Sequence, residues 1–261
     1  MRLIRYREYE DGPVRVGLVE GDRVHAIAED IFGPYAKIGR DLALEDAILE
    51  APCRPGKIVC VGLNYKAHVA ESKQVVPEEP VLFMKPPSAV IGPGRTICLP
   101  PHSRRVDYEA ELAVVMGRTA CRVRAAEALE HVLGYTCLND VSARDFQQKD
   151  GQWTRAKGFY TFCPLGPAIE TGLDPGRLSV QAWLNNELKQ DSNTVHLVFG
   201  VPFLIEFISG IMRLEPGDVI ATGTPAGVGP LHDGDEIEIR VGGIGGLKNP
   251  VRLGDDETCS K

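Results

Sequence analysis

From Val106 to Gly117 the chain alternates so regularly that two faces separate along it. Tyr108, Ala110, Leu112, Val114 and Met116 fall on one side; Glu109, Glu111, Ala113 and Val115 fall on the other. The apolar run predicts a buried strand, and two carboxylates then share one face about 6–7 Å apart. In a low-dielectric setting they repel each other and each loses hydration. A divalent cation between them removes both costs, and an oxygen-only ligand set favours Mg²⁺, Mn²⁺ or Ca²⁺ over zinc. An edge strand with both acids in solvent is the alternative, and it stays open at the level of this segment.

The same patterning predicts elements elsewhere. Residues 2–6 and 14–20 are strand-like, and Gly21-Asp22 turns the chain into a third strand at 23–27. Residues 41–49 have helical spacing, after which Pro52, Pro55 and Gly56 mark a boundary. A small β-rich unit at 1–52 and a larger domain at 53–261 follow. Within the larger domain, strands are expected at 57–62, 80–85, 134–140, 218–222 and 236–241. A hairpin is expected at 180–184 and 187–190 about Asn185-Asn186, and a helix or loop at 64–71. Short helical pieces are expected at 125–132 and 143–148. The strongest helix is 199–212, with Val201, Leu204, Ile205, Ile208, Ile211 and Met212 on one stripe. Gly242 to Gly246 suit a bulged or tight terminal strand. Short strands between Gly and Pro turns place the chain in the β-rich α+β class.

Composition narrows the partners. Of 261 residues, 43% are hydrophobic and 25% charged, enough to fill a sizeable core. A net charge of −7 argues against a general nucleic-acid or anionic-membrane binder. No stretch is apolar and long enough to span a bilayer. Arg2, Arg5, Arg7 and Glu8 interrupt the start where a signal peptide would be apolar, so a cytoplasmic protein is expected. The seven cysteines are odd in number and form no CxxC. Most lie in apolar surroundings, as reduced core residues do.

Other groups suited to chemistry cluster in the larger domain. Asp140 ends the apolar run Tyr135-Thr136-Cys137-Leu138-Asn139. It is placed either for a site or to cap the helix that follows. Lys157 precedes the aromatic run Gly158-Phe159-Tyr160-Thr161-Phe162, as a lysine partly buried near a carboxylate or as a surface lysine. His68 and Glu71 are three apart, so on a helix the carboxylate can orient the imidazole and raise its basicity, or the two form a solvent-exposed pair. Thr222-Gly223-Thr224-Pro225-Ala226-Gly227-Val228-Gly229 follows an apolar strand and offers hydroxyls and N–H groups to a carboxylate. It lacks the nucleotide P-loop pattern, and a plain Gly-rich turn is the other reading.

Taken together, these stretches resemble the fumarylacetoacetate hydrolase family. The matching segments are Lys57-Ile58-Val59-Cys60-Val61-Gly62-Leu63-Asn64-Tyr65 with His68 and Glu71, Tyr108-Glu109-Ala110-Glu111-Leu112, and Gly134 through Asp145. Arg155-Ala156-Lys157-Gly158-Phe159 and the run from Gly217 to Gly229 complete them, so the likeness covers about residues 57–250. The resemblance implies a mixed β-roll, usually dimeric. It implies Mg²⁺ or Mn²⁺ held by Glu109, Glu111 and Asp140. It implies Lys157 as the active-site lysine, and His68 with Glu71 as an acid–base dyad on a lid. Thr224, Arg144 and Gln147 match substrate-side positions. The substrates it implies are small 2-oxo, 2-hydroxydienoic or β-diketo acids that react through a cation-stabilised enolate. A 2-hydroxyhepta-2,4-diene-1,7-dioate isomerase or decarboxylase of aromatic catabolism is the leading expectation. Acylpyruvate or fumarylpyruvate hydrolysis and oxaloacetate decarboxylation are alternatives. A non-catalytic, metal-stabilised binding protein is the alternative of another class.

Overall fold

The alternating strand lies in the interior. In the computed structural model, which describes residues 1–28, 31–33 and 35–254, Ala110–Met116 pairs antiparallel with Val132–Asn139 on one side and with Val219–Ala221 on the other. Its two faces enter two different cores. Ala110, Leu112, Val114 and Met116 pack with Tyr108, Val180, Ile237 and Leu247. Ala113 and Val115 pack with Ile58, Cys60, Leu138 and Leu165. The edge-strand alternative is therefore excluded, because both neighbours and both faces are covered.

Among the described residues the strands form sheets of twelve, five and three strands. The large sheet runs from the N-terminal hairpin through Arg2–Arg7, Cys163–Glu170, Val132–Asn139, Ala110–Met116, Val219–Ala221 and Ile58–Gly62 to Val81–Lys85. The N-terminal strands thus extend the same sheet, with Arg2 opposite Glu170. The five-stranded sheet orders Glu187–Asn193, Ser179–Leu184, Glu236–Val241, Gly245–Leu253 and Ile97–Leu99, and packs over the middle of the large one. Helix α1 (Lys66–Glu71), α2 (Arg144–Asp150), α3 (Thr154–Lys157) and α4 (Val201–Ile211) are short connections around this strand-rich roll. No helix among the described residues is long and apolar enough to cross a membrane.

Several local expectations give way to tertiary pairing. Residues 41–49 form no α-helix: they contain Leu42–Ala43, a 3₁₀ turn at Leu44–Asp46 and Ile48–Glu50. Arg23–Ala26 and Arg2–Arg7 present free ladder groups that this segment completes, and so short a helix would not nucleate on its own. The helix expected at 125–132 contracts to a 3₁₀ turn at Ala128–His131. The His131 carbonyl accepts from Gly117 and Arg118, drawing Val132 into the sheet. The run from Val106 to Met116 breaks at Glu109. Glu109 N donates to Asn139 Oδ1 and Ala110 N to Gln190 Oε1, both at 2.9 Å, so side chains replace the ladder there. Val106–Tyr108 instead joins Ser142–Ala143 and Gly229–Pro230. Ile211 leaves the buried stripe of α4, and Ser209 is buried instead. The Gly-rich terminus turns at Val241–Ile244 and then forms the nine-residue strand Gly245–Leu253. Cys121 is exposed, unlike the five buried thiols, and Cys259 lies outside the described residues.

Leu112 is fully buried in the inter-sheet core. Leu112→Ala is expected to lower stability by about 2–5 kcal/mol, read as a shift in the urea midpoint without a change of slope.

Candidate active site

The break at Glu109 is what assembles the acids. Ala110 lies opposite Asn139 in the ladder and Glu111 opposite Leu138, and Asp140 follows the end of that second strand. Glu109, Glu111 and Asp140 are 4%, 2% and 0% exposed, and one oxygen from each lies within 4.8 Å of the others. Asp140 does not cap α2, whose first turn receives no side-chain bond from the residue before it.

Three cations answer three acids unevenly. Lys157 Nζ donates to Glu109 Oε2 at 2.9 Å and to Asp140 Oδ2 at 2.6 Å. Lys85 Nζ donates to Asp140 Oδ1 at 2.6 Å and to the Val141 carbonyl at 3.1 Å. Arg144 Nη2 reaches Glu109 Oε1 at 2.5 Å, Nε reaches Asp107 Oδ2 at 2.8 Å and Nη1 reaches Gln147 Oε1 at 2.9 Å. Arg105 closes the far end with two bonds to Asp107. Glu111 has no cationic partner among the described residues. Its Oε2 accepts from Gly223 N at 2.7 Å.

The titration behaviour follows that imbalance. Burial pushes Glu109 up, but Lys157 and then Arg144 outweigh it and hold the carboxyl below the usual range. Burial pushes Glu111 well up, and the charges of Asp140 and Glu109 add to the shift. For Lys157, burial favours the neutral amine, yet Asp140 and Glu109 prevail and keep it a more stable cation than a free lysine. Lys157 is thus a fixed charge and not a proton acceptor near neutral pH. Three buried carboxylates with oxygen donors this close, one of them uncompensated, fit a hard divalent cation.

The remaining predicted residues face the same cavity of about 720 Å³. His68 Nδ1 lies 3.1 Å from Glu71 Oε2 on α1, and Glu71 Oε1 accepts from Gly227 N at 3.0 Å. The helix carrying the dyad is thereby tied to the Gly-rich loop. Two N–H groups of that loop serve the protein's own carboxylates, Glu111 and Glu71. Gly223 needs its lack of a side chain: its φ is +99° and a Cβ would stand 2.8 Å from that of Asn64. Thr224 Oγ1 accepts from Gln190 Nε2 at 2.8 Å, which leaves its own proton to donate. Gln147, with its oxygen on Arg144, keeps its amide N–H groups for the cavity.

Two residues escaped the sequence reasoning. Lys85 was legible only as the end of an apolar strand, although period two places it in phase with cavity-lining Phe83. Gln190, fully buried, sits in a hairpin strand that looks solvent-facing. It bonds Ala110 N, Thr224 Oγ1 and the Pro225 carbonyl, joining the five-stranded sheet to the site.

Comparison with known proteins agrees with this geometry. Residues 57–252 match the family described as fumarylacetoacetate (FAA) hydrolase C-terminal, and residues 1–52 match an Rv2993c-like N-terminal family. The chain is 45% identical over 219 residues to the mitochondrial oxaloacetate tautomerase FAHD2B of Bos taurus, covering 79% of this chain and 70% of that one. It superposes on 2-hydroxyhepta-2,4-diene-1,7-dioate isomerase from Mycobacterium marinum with a TM-score of 0.90 at 45% identity, covering 97% of this chain and 98% of that one. Against maleylpyruvate hydrolase from Sphingobium sp. SYK-6, in complex with manganese(II) ion and pyruvate, the TM-score is 0.80 at 33% identity, covering 98% and 100%. With the catalytic-domain match spanning most of the sequence, this chain belongs to the fumarylacetoacetate hydrolase family.

Proposed function

We propose that the protein is a divalent-cation-dependent isomerase of 2-oxo or 2-hydroxydienoic dicarboxylic acids. The observation that carries this reading is the His68–Glu71 pair, fastened over the cavity that holds Glu109, Glu111 and Asp140. Isomerisation needs a group that both removes and returns a proton, whereas loss of CO₂ from a β-carboxylate needs only one proton delivered to the enolate and no activated water. The isomerase and tautomerase relatives at 45% identity support the same choice.

Glu109, Glu111 and Asp140 would hold Mg²⁺ or Mn²⁺, which when bound supplies Lewis acidity toward a neighbouring carboxylate and 2-oxygen. Lys157 adds a fixed positive charge beside that end. Arg144, with three nitrogens committed to protein acceptors, positions Glu109 and Gln147. Thr224 donates to a substrate carboxylate. In a 2-hydroxy-2,4-diene, one proton leaves the 2-hydroxyl and one arrives at carbon 5, giving the 2-oxo-3-ene with no change of formula. His68 carries it through Nε2, since Nδ1 is held by Glu71, and that carboxylate steadies the imidazolium between the two transfers.

Proton NMR in D₂O, with Mg²⁺-loaded protein and the dienedioate, oxaloacetate, fumarylpyruvate and acetylpyruvate in turn, tests this. Deuterium incorporated at carbon 3 or 5 of an intact skeleton is the expected result. Pyruvate with a second acid would replace isomerisation by hydrolysis, and release of CO₂ would replace it by decarboxylation. Silence on all four compounds, with the cation bound, would favour a binding protein.

His68→Ala is expected to lower kcat about 10²–10⁴-fold with cation affinity retained. The cation site carries a separate expectation. Glu111 has its proton affinity raised in the metal-free fold, so it remains protonated into a range where free glutamate is ionised. A bound cation would displace that proton, so cation affinity is expected to rise with pH across that range. Calorimetry of Mg²⁺ binding in buffers of different ionisation heat is expected to read net proton release, smaller in Glu111→Gln than in the unaltered protein.

A further inference from the structure

A second cavity of similar size lies apart from the candidate active site. About 770 Å³ opens where the N-terminal strands meet the larger domain, lined among the described residues by Arg5, Arg7, Arg54, Arg95 and a single carboxylate, Glu50. In a chain of net charge −7, that wall is a local reversal of sign. Arg7 and Arg95 are accounted for: Arg7 Nε meets Glu50 Oε1 at 2.7 Å, and Arg95 meets Glu10 at 2.9 Å and Glu50 at 3.5 Å. Arg5 donates Nη1 to the Ala51 carbonyl at 2.9 Å and, among the described residues, has no carboxylate in salt-bridge range. Arg54 has none either among the described residues. Burial first, and the charge of Arg54 next, hold Arg5 below its usual range, while Glu50 opposes this less strongly. Two guanidinium groups within each other's field, opening on one cavity, are balanced when an oxyanion lies between them.

Neutral donors line the same space. Ser88, Thr96 and Thr161 contribute hydroxyls. Thr161 is buried and β-branched, yet it has a φ of +69°, a conformation that costs about 1–3 kcal/mol and persists only where its surroundings impose it. Its Oγ1 accepts from Cys98 N at 2.8 Å, so its own proton is left to donate.

We propose that this cavity is a second, non-catalytic anion site that takes a small oxyanion, a phosphate or a polycarboxylate, between Arg5 and Arg54. Calorimetric titration of the full chain with inorganic phosphate, and separately with citrate, tests it. Saturable binding of one anion per chain is expected. Arg54→Gln, an exposed change that leaves the packing intact, weakens it about tenfold or more, and Thr224→Val in the catalytic cavity leaves it unaltered. Arg5→Gln behaves like Arg54→Gln, with circular dichroism confirming its fold. Phosphate binding without citrate identifies a phosphate site, and the reverse identifies a polycarboxylate site. No saturation into the millimolar range, or binding indifferent to both arginine substitutions, overturns the proposal.

Discussion

The mutual repulsion of Glu109, Glu111 and Asp140, buried with oxygens within 4.8 Å of one another, sets the requirements that the surrounding structure meets. An ionised carboxylate in such a setting is tolerated only with a partner. Lys157 and Lys85 serve Asp140, and Lys157 and Arg144 serve Glu109. Glu111 is left with one backbone N–H from Gly223. Its missing countercharge is the place in the network where an added positive ion does most.

Meeting those requirements explains the departures from regular geometry. The interruption at Glu109 lets Asn139 and Gln190 take over two backbone N–H groups and aims the glutamate at Lys157. The positive φ of Gly223 turns its N–H onto Glu111. Gln190 fixes Thr224 while bonding Ala110 from the other sheet. The site is therefore built at the contact of two sheets, each side holding the other's donors.

The His68–Glu71 pair is held by fewer connections than the acidic cluster. The dyad sits on the six-residue α1, outside the sheets, and Gly227 N is its tie to the loop beyond Thr224. The charged cluster of Glu109, Glu111, Asp140, Lys157 and Arg144 sits at strand ends and on the short helices α2 and α3, while His68 and Glu71 occupy a separate short helix. The N-terminal strands belong to the same large sheet, with Arg2 opposite Glu170, and their far side forms the arginine-lined cavity with the segments after Lys85 and Lys157.

Period-two alternation is a property of neighbouring residues, so the strand with Glu109 and Glu111 on one face, the N-terminal hairpin and the Asn185-Asn186 hairpin were legible in the sequence. The ordered motifs that resemble the family added Asp140, Lys157, His68 and Glu71, which the fold brings around one cavity. Tertiary structure alone decided whether the two glutamates were wet or buried, because that depends on Val132–Asn139 and Val219–Ala221 flanking their strand. It alone recruited Lys85, 55 residues from Asp140, and Gln190, 34 from Thr224. It also turned residues 41–49 from helix to strand by offering them a sheet edge. Local spacing specifies which face a side chain takes; the partner that makes a buried charge or an open ladder affordable comes from a distant segment, and only the folded chain brings it there.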